Sequence, residues 1–281
     1  MGMQQGSGDV YYAMGTPAFY KARRQRMGDI VWRFNTHLNT HYIVYDEFEV
    51  RGTKFNELVE LDGKEKEYTF SYVSTGADAY VSLLKFNYND NRTALIAVIY
   101  NNVAGKWKIE DTEFVYLTQN GKTATQIYND AIAQQRDGYI IDAAAELNDA
   151  LMLVNNYSDM HYRAHKGQEF IELAQGLGRE CMAAYAFPHI IEAIDLHPMI
   201  TDVDTQRGDR QLVHYIAYKT AISIDDEEAL KKEGRKMCAE VPKYLKGINF
   251  NKQKVYFIAR GNKVYDDGDT MGGEYSYSYT P

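Results

Sequence analysis

The stretch TATQIYNDAIAQQRDGYIIDAAAELNDALMLV, Thr123 to Val154, divides the chain into unlike halves. Ile127, Ala131 and Ile132 recur at helical spacing, with Tyr128 beside them, until Gly138 interrupts the pattern. After it Ile141, Ala144, Leu147, Ala150 and Leu151 recur in steps of three and four, which predicts a second helix. Ala143, Ala144 and Ala145 are small enough for close helix contact. Gly138 sits where the first helix must end, a position that favours left-handed dihedrals. β-patterned sequence precedes this hairpin and mixed sequence follows it. The predicted class is therefore α+β: an N-terminal helix on a curved antiparallel sheet, a central helical hairpin or three-helix segment, and a C-terminal α+β domain. The expected division is a flexible tether over 1–16, an α+β domain over 17–120, a helical segment over 121–187 and a C-terminal domain over 188–281.

Outward toward the N-terminus, Phe19, Ala22, Met27, Ile30, Val31, Phe34 and Leu38 trace one helical face, with Thr16 as N-cap and Pro17 in the first turn. Period two then takes over. Tyr42, Val44, Phe48 and Val50 alternate with polar neighbours, and after a weaker stretch with Phe55, Leu58 and Leu61 so do Tyr68, Phe70 and Tyr72. Strands over 80–88 and 93–100 meet at Asn89-Asp90-Asn91, a turn sequence, and a further strand runs from Lys106 to Leu117. The alternation changes phase near Asp111, which predicts a β-bulge or a bend.

Toward the C-terminus, Asp159 is a candidate cap for a helix carrying Phe170, Leu173, Ala174, Leu177, Met182 and Tyr185, ended by Pro188. Residues 190–196 and 212–224 read as strands, the second apolar on both faces and so central. Asp225 and Asp226 start a helix with Ala229, Leu230, Met237, Val241 and Leu245 on its apolar face. A strand returns over 253–260, Gly261-Asn262 reads as a hairpin turn into 263–265, and the end alternates Tyr with Ser as an edge strand or tail.

Two resemblances follow from these patterns. The 19–38 helix with the closing strand GKWKIEDTEFVYL, Gly105 to Leu117, is similar to the cystatin-like and nuclear-transport-factor-like cone folds. That resemblance implies a ligand cavity between helix and sheet in some members and a binding or dimerisation role in others, with no catalytic motif to carry over. Gly138, Ile141, Ala144, Leu147 and Ala150 resemble one tetratricopeptide repeat, which implies protein recognition. No closing proline and no second copy accompany it.

Composition sets further bounds. With 281 residues, 45% hydrophobic and 25% charged, the chain is long enough for two globular domains. A formal charge of −8 argues against general nucleic-acid attraction, and Lys21, Arg23, Arg24 and Arg26 read as a solvated face. No apolar run is long enough for a membrane span, and MGMQQGSGDVYY lacks the regions of a signal peptide. It reads as a polar tether: an expression remnant, or the start of an envelope or periplasmic protein whose membrane-tethering leader is missing. Cys181 and Cys238 belong to no CxxC pair and read as two buried thiols, a disulfide between them remaining open.

Candidate chemistry is sparse. In HYRAH, His161 and His165 stand four apart with Glu169 one turn on, a set suited to zinc or iron if the segment is helical. His189 and His197 flank a run containing Glu192 and Asp195, but no nucleophile motif accompanies them. Asp202, Asp204 and Asp209, and again Asp266, Asp267 and Asp269, read as acidic loops without the calcium-hand pattern. GLGRE at Gly176–Glu180 follows a helical pattern and is no phosphate loop. Tyr275, Tyr277 and Tyr279 read as exposed contacts for a peptide or glycan. No catalytic residue and no cofactor are expected. The function expected is a non-catalytic binding or scaffold protein of the bacterial cell envelope with a protein partner; the alternative is a small-ligand receptor or enzyme using a cavity in the N-terminal domain.

Overall fold

The computed structural model describes residues 14–17, 19, 21, 38–64, 68–88, 92–154, 161–164, 167–208, 211–264 and 270–279. The chain is mixed α+β and forms two compact units, one from Met1–Ile127 with Asp149–Phe170, the other from Tyr128–Asn148 with Ile171–Pro281. The helices of the central stretch, α1 (Ala124–Arg136), α2 (Ile140–Val154) and α3 (Gly167–Ala184), thus contribute residues to both. No helix among the described residues is long and apolar enough to cross a membrane.

The first unit contains two sheets. One has the order β1 (Leu38–Val50), β4 (Ala79–Tyr88), β5 (Thr93–Val103), β6 (Lys106–Gln119) and β7 (Lys122–Thr123). The other has the order β2 (Phe55–Asp62), β3 (Tyr68–Thr75) and β8 (His161–Ala164). The β2–β3 hairpin leaves the meander and lays its inner face over the larger sheet. Strand β5 shows why both faces needed cover. Leu95, Ala97 and Ile99 enter the core that also holds Tyr68, Phe70 and Tyr72 of β3, while Ala94, Ile96 and Val98 enter a second core with Phe19. The N-terminal cap forms as predicted: Thr16 Oγ1 accepts the Phe19 N–H at 3.1 Å, and Pro17, Phe19 and Lys21 are helical. Leu38 is not on that helix but opens β1, because a paired strand competes successfully for it; the rest of the predicted helix lies outside the described residues.

A bulge in β1 was not visible in its alternation. The register shifts between Val44 and Asp46, and Asp46 turns inward to 2% exposure. There it accepts the Tyr68 hydroxyl at 2.6 Å and the Lys64 N–H at 3.0 Å, with Lys64 Nζ at 3.1 Å. Burial alone pushes this carboxyl up, but those donors outweigh it and hold it below the ordinary carboxylate range. A depressed carboxyl contributes stability that is present above its unfolded pKa and lost as pH falls through the folded value. Asp46→Asn is therefore expected to cost about 1–3 kcal/mol at neutral pH, as loss of a hydrogen-bonded charge does. The deficit should shrink in acid, below pH 4, when unfolding curves of variant and parent are compared.

The second unit is built on a sheet of order β13 (Thr270–Tyr279), β12 (Lys254–Val264), β11 (Leu212–Lys219), β10 (Met199–Arg207) and β9 (His189–Ile190). Parallel strands β11 and β12 are joined by α4 (Glu227–Tyr244), whose Asp226 caps it by accepting the Ala229 N–H at 3.0 Å. Ile216, Tyr218, Val255, Phe257 and Ala259 pack with Leu230, Met237 and Val241 of α4.

Several expectations are corrected here. Strand β11 ends at Lys219 and not at Ile224. Of the predicted 190–196 strand only Ile190 is extended, paired with His189 in the short β9; Ile191 and Ile194 then drop into the core through a turn in which Leu196 and His197 take positive φ. Gly261-Asn262 makes no turn, because β12 continues to Val264. Gly261 is there for close approach: a Cβ would sit 2.8 Å from the Ile222 carbonyl oxygen. Tyr275 and Tyr277 do not reach outward but pack into the core, with Tyr277 stacked on Phe257 at 5.3 Å. The serines of β13 take the outer face, as period two demands of an edge strand. The side chain of Tyr279 lies outside the described residues.

Gly138 ends α1 in a left-handed conformation, φ +88°. Tyr139 N–H reaches the Gln134 carbonyl at 2.8 Å and Gly138 N–H that of Gln135 at 3.0 Å, the paired bonds of a Schellman motif. On α2 Leu147 and Ala150 are buried as predicted, but Ile141, Ala144 and Leu151 are only partly so. Ile140, Ala143, Leu147, Ala150 and Val154 are buried together with Asp142 and Glu146, so the helix is turned about one position.

Candidate functional site

A cleft of about 250 Å³ opens in the first unit, between the end of β3 and strands β5 and β6. Tyr72, Val73, Thr75, Ile99, Asn101, Glu110 and Asp111 line it. The backbone makes this site through one irregularity. Ile99 pairs with Asp111 but Tyr100 with Ile109, so Glu110 is the extra residue of a bulge. The bulge falls where the sequence alternation changes phase, and it brings two successive side chains to the cleft that a regular strand would send to opposite faces.

The polar groups of the wall are uneven in their satisfaction. Tyr72 is only 3% exposed, yet its hydroxyl has no hydrogen-bond partner among the described residues. Burial pushes its phenol up to about 12, so it stays protonated at neutral pH. Asn101, also buried, donates an amide N–H to Thr75 Oγ1 at 2.5 Å. Asp111 Oδ1 accepts the Thr112 N–H at 2.8 Å. A buried hydroxyl left without a partner costs about 1–3 kcal/mol, which a ligand placed in the cleft would recover. The wall offers oxygen acceptors and one phenol, with apolar surface from Val73 and Ile99. Among the described residues that line it there is no imidazole, thiol or ammonium.

A second polar cluster lies buried in the second unit. Thr205 Oγ1 stands 2.8 Å from His214 Nδ1, and His214 Nε2 stands 2.8 Å from Asp142 Oδ1. That second contact meets the distance but not the direction of a hydrogen bond, so it acts as a close polar contact. Asp142 Oδ2 accepts the Asn249 N–H at 3.0 Å and Gln253 Nε2 at 3.3 Å. Arg207 Nη2 pairs with Glu146 Oε2 at 2.7 Å on the same helix and strand. A hydroxyl–imidazole–carboxylate line can activate a nucleophile. Here His214 and Asp142 are wholly buried, and the line ties α2 to β10 and β11 as a structural pin.

Glu233 of α4 is a further buried carboxyl. Thr220 Oγ1 donates to its Oε2 at 3.1 Å while its Oε1 has no hydrogen-bond partner among the described residues. Burial pushes this carboxyl up, only partly offset by the Thr220 and Tyr218 hydroxyls and by Lys236. A raised carboxyl penalises the fold in its ionised form; the penalty grows as pH rises through the unfolded value and is full above the folded one. Glu233→Gln is thus expected to raise Tm at pH 8 and to lose that advantage below pH 4, as read by thermal melts at the two pH values.

The residues expected from sequence to carry chemistry are not gathered. His161 lies on β8, paired through Ser71 to β3, so the helical premise of the HYRAH reading fails; the tetrapeptide completes a sheet edge instead. Glu169 is exposed in the first turn of α3, and His165 lies outside the described residues. His189 stacks on Tyr244, His197 is exposed, and Asp195 pairs with Lys236 at the surface. Asp202 and Asp204 stand on strand β10, not in a loop, each bonded to the N–H of the next residue. Asp209, Asp266, Asp267 and Asp269 lie outside the described residues. No group of three or more metal-ligating side chains occurs among the described residues. Both cysteines are free thiols, each half-buried in the second unit and raised by burial. What sequence reading missed, Tyr72 and Asn101, looks in sequence like ordinary strand alternation; only the bulge at Glu110 signalled the place. No family model matches the chain, and no match was found among curated proteins or solved structures.

Proposed function

We propose that this is a non-catalytic binding protein whose ligand site is the cleft at the β6 bulge. One observation carries the reading: the buried, unpartnered Tyr72 hydroxyl belongs to the wall of a cavity beside Asn101, Glu110 and Asp111. The cone-fold resemblance implies a cavity between helix and sheet, whereas this cleft lies on the β3 side of the sheet, away from Phe19, so the reading rests on the cleft alone. A library of small polar molecules, screened by NMR on the full chain, tests it. Ligands should shift amides of β3, β5 and β6, and Thr75→Trp, which fills the cleft, should abolish the shifts. Shifts confined to other strands would sink the reading.

A protein partner is favoured by a different observation. Phe55 and Leu58, on β2, are 80% and 59% exposed, and β2 is an edge strand. Exposed apolar side chains on an edge suit strand or surface recognition. The partner reading includes the bacterial cell envelope as location and the tetratricopeptide-like hairpin as a further recognition element. Cross-linking in the source cells should give an adduct that Leu58→Lys removes; an unchanged adduct counts against it.

A further inference from the structure

Resting on the binding reading above, we propose that the β6-bulge cleft selects a small organic ammonium ion with an apolar body. The wall carries two carboxylates, Glu110 and Asp111, an amide oxygen of Asn101 and the Tyr72 phenol, and no Lys, Arg or His lines it among the described residues. An anion entering it meets like charge from Glu110 and Asp111. A neutral molecule brings no charge to answer the Glu110 carboxylate. An ammonium group donates up to three hydrogen bonds and brings the missing positive charge. Tyr72 is the second, independent mark of a ligand here, because its hydroxyl is buried and unpartnered while its oxygen can accept.

A bare metal ion fits less well. Calcium takes about six to eight oxygens at short range, and no such grouping of ligating side chains occurs among the described residues. The volume, about 250 Å³, is also far more than an ion fills. A water-sized group takes about 30 Å³ of liquid, so the cleft accommodates a body of several heavy atoms. Val73, Ile99 and the Tyr72 ring supply apolar surface for that body, and an aromatic face attracts cations in its own right. Glu110 is the anchoring carboxylate. It is the residue the bulge expels from the β5–β6 ladder, whereas Asp111 already holds the Thr112 N–H.

The experiment uses the full chain and three probes of one shape: phenethylamine, 2-phenylethanol and phenylacetate, titrated by calorimetry with NMR mapping. Phenethylamine is expected to bind at β3, β5 and β6 at least about tenfold more tightly than the alcohol, the order expected for one charge-assisted contact. Phenylacetate should be weakest. Glu110→Gln should remove the preference for the amine, and Tyr72→Phe should weaken amine binding while leaving Tm unchanged or higher, since the hydroxyl it removes has no partner. Equal binding of amine and alcohol at these strands overturns the ammonium inference and leaves the binding reading standing. No binding by any probe also overturns it, and the library screen then decides the binding reading separately.

Discussion

Asp142→Ala is expected to destabilise the second unit by about 3–5 kcal/mol, the range for removing one member of a buried polar pair. The loss has three parts. His214, wholly buried, keeps only the Thr205 hydroxyl; the Asn249 N–H and Gln253 amide lose their acceptor; and the first turn of α2 loses the carboxylate that its dipole favours. The neighbouring loop depends on the same corner, since the Gly247 carbonyl accepts the Ile141 N–H at 2.9 Å. Set against total stabilities of about 5–15 kcal/mol, the change is enough to open the unit locally. Hydrogen exchange of the α2, β10 and β11 amides measures it. A double-mutant cycle with His214→Ala should return a coupling of about 0.5–3 kcal/mol. Additive effects would mean that the two residues stabilise separate parts of the unit and that the pin is misread.

Leu95→Ala and Ile96→Ala are each expected to cost about 2–5 kcal/mol, although the residues are adjacent and point to opposite faces of one strand. A sheet covered on one side only would make one of the two cheap. Here Leu95 packs under β3, and Ile96 packs on the side of Phe19. Trp107 lies on β6 of the first unit, so urea unfolding followed by tryptophan fluorescence reports on that unit. A cost below about 1 kcal/mol for Leu95→Ala, in the range of exposed positions, would mean that the β2–β3 hairpin does not cover that face.

Local patterns were the legible part of the sequence. The Thr16 cap, the Gly138 stop, the helix start at Asp225–Asp226 and the phase change near Asp111 are each decided within a few residues; the first two appear as read, the third as a cap at Asp226 and the fourth as a bulge at Glu110. The site was legible only as a bulge. Tyr72 and Asn101 alternate as any strand residues do, and nothing local says that a hydroxyl will be buried without a partner. The turned face of α2 has the same origin, since apolar periodicity cannot register a face that buries Asp142 and Glu146 against His214 and Arg207.

The sequence by itself determined the stop of α1, the start of α4, the alternation of β3 to β6 and that both kinds of element occur, because caps, glycines and period-two patterns act over short range. Tertiary structure alone decided that β3 leaves the meander to pair with β2 and β8, and that Gly261 serves close approach and not a turn. It also decided that Tyr277 faces inward while Tyr72 walls a cleft. Those outcomes depend on what lies across the sheet from each residue. The physical reason is burial: a side chain's cost or gain is fixed by partners distant in sequence, and a local pattern carries no record of them.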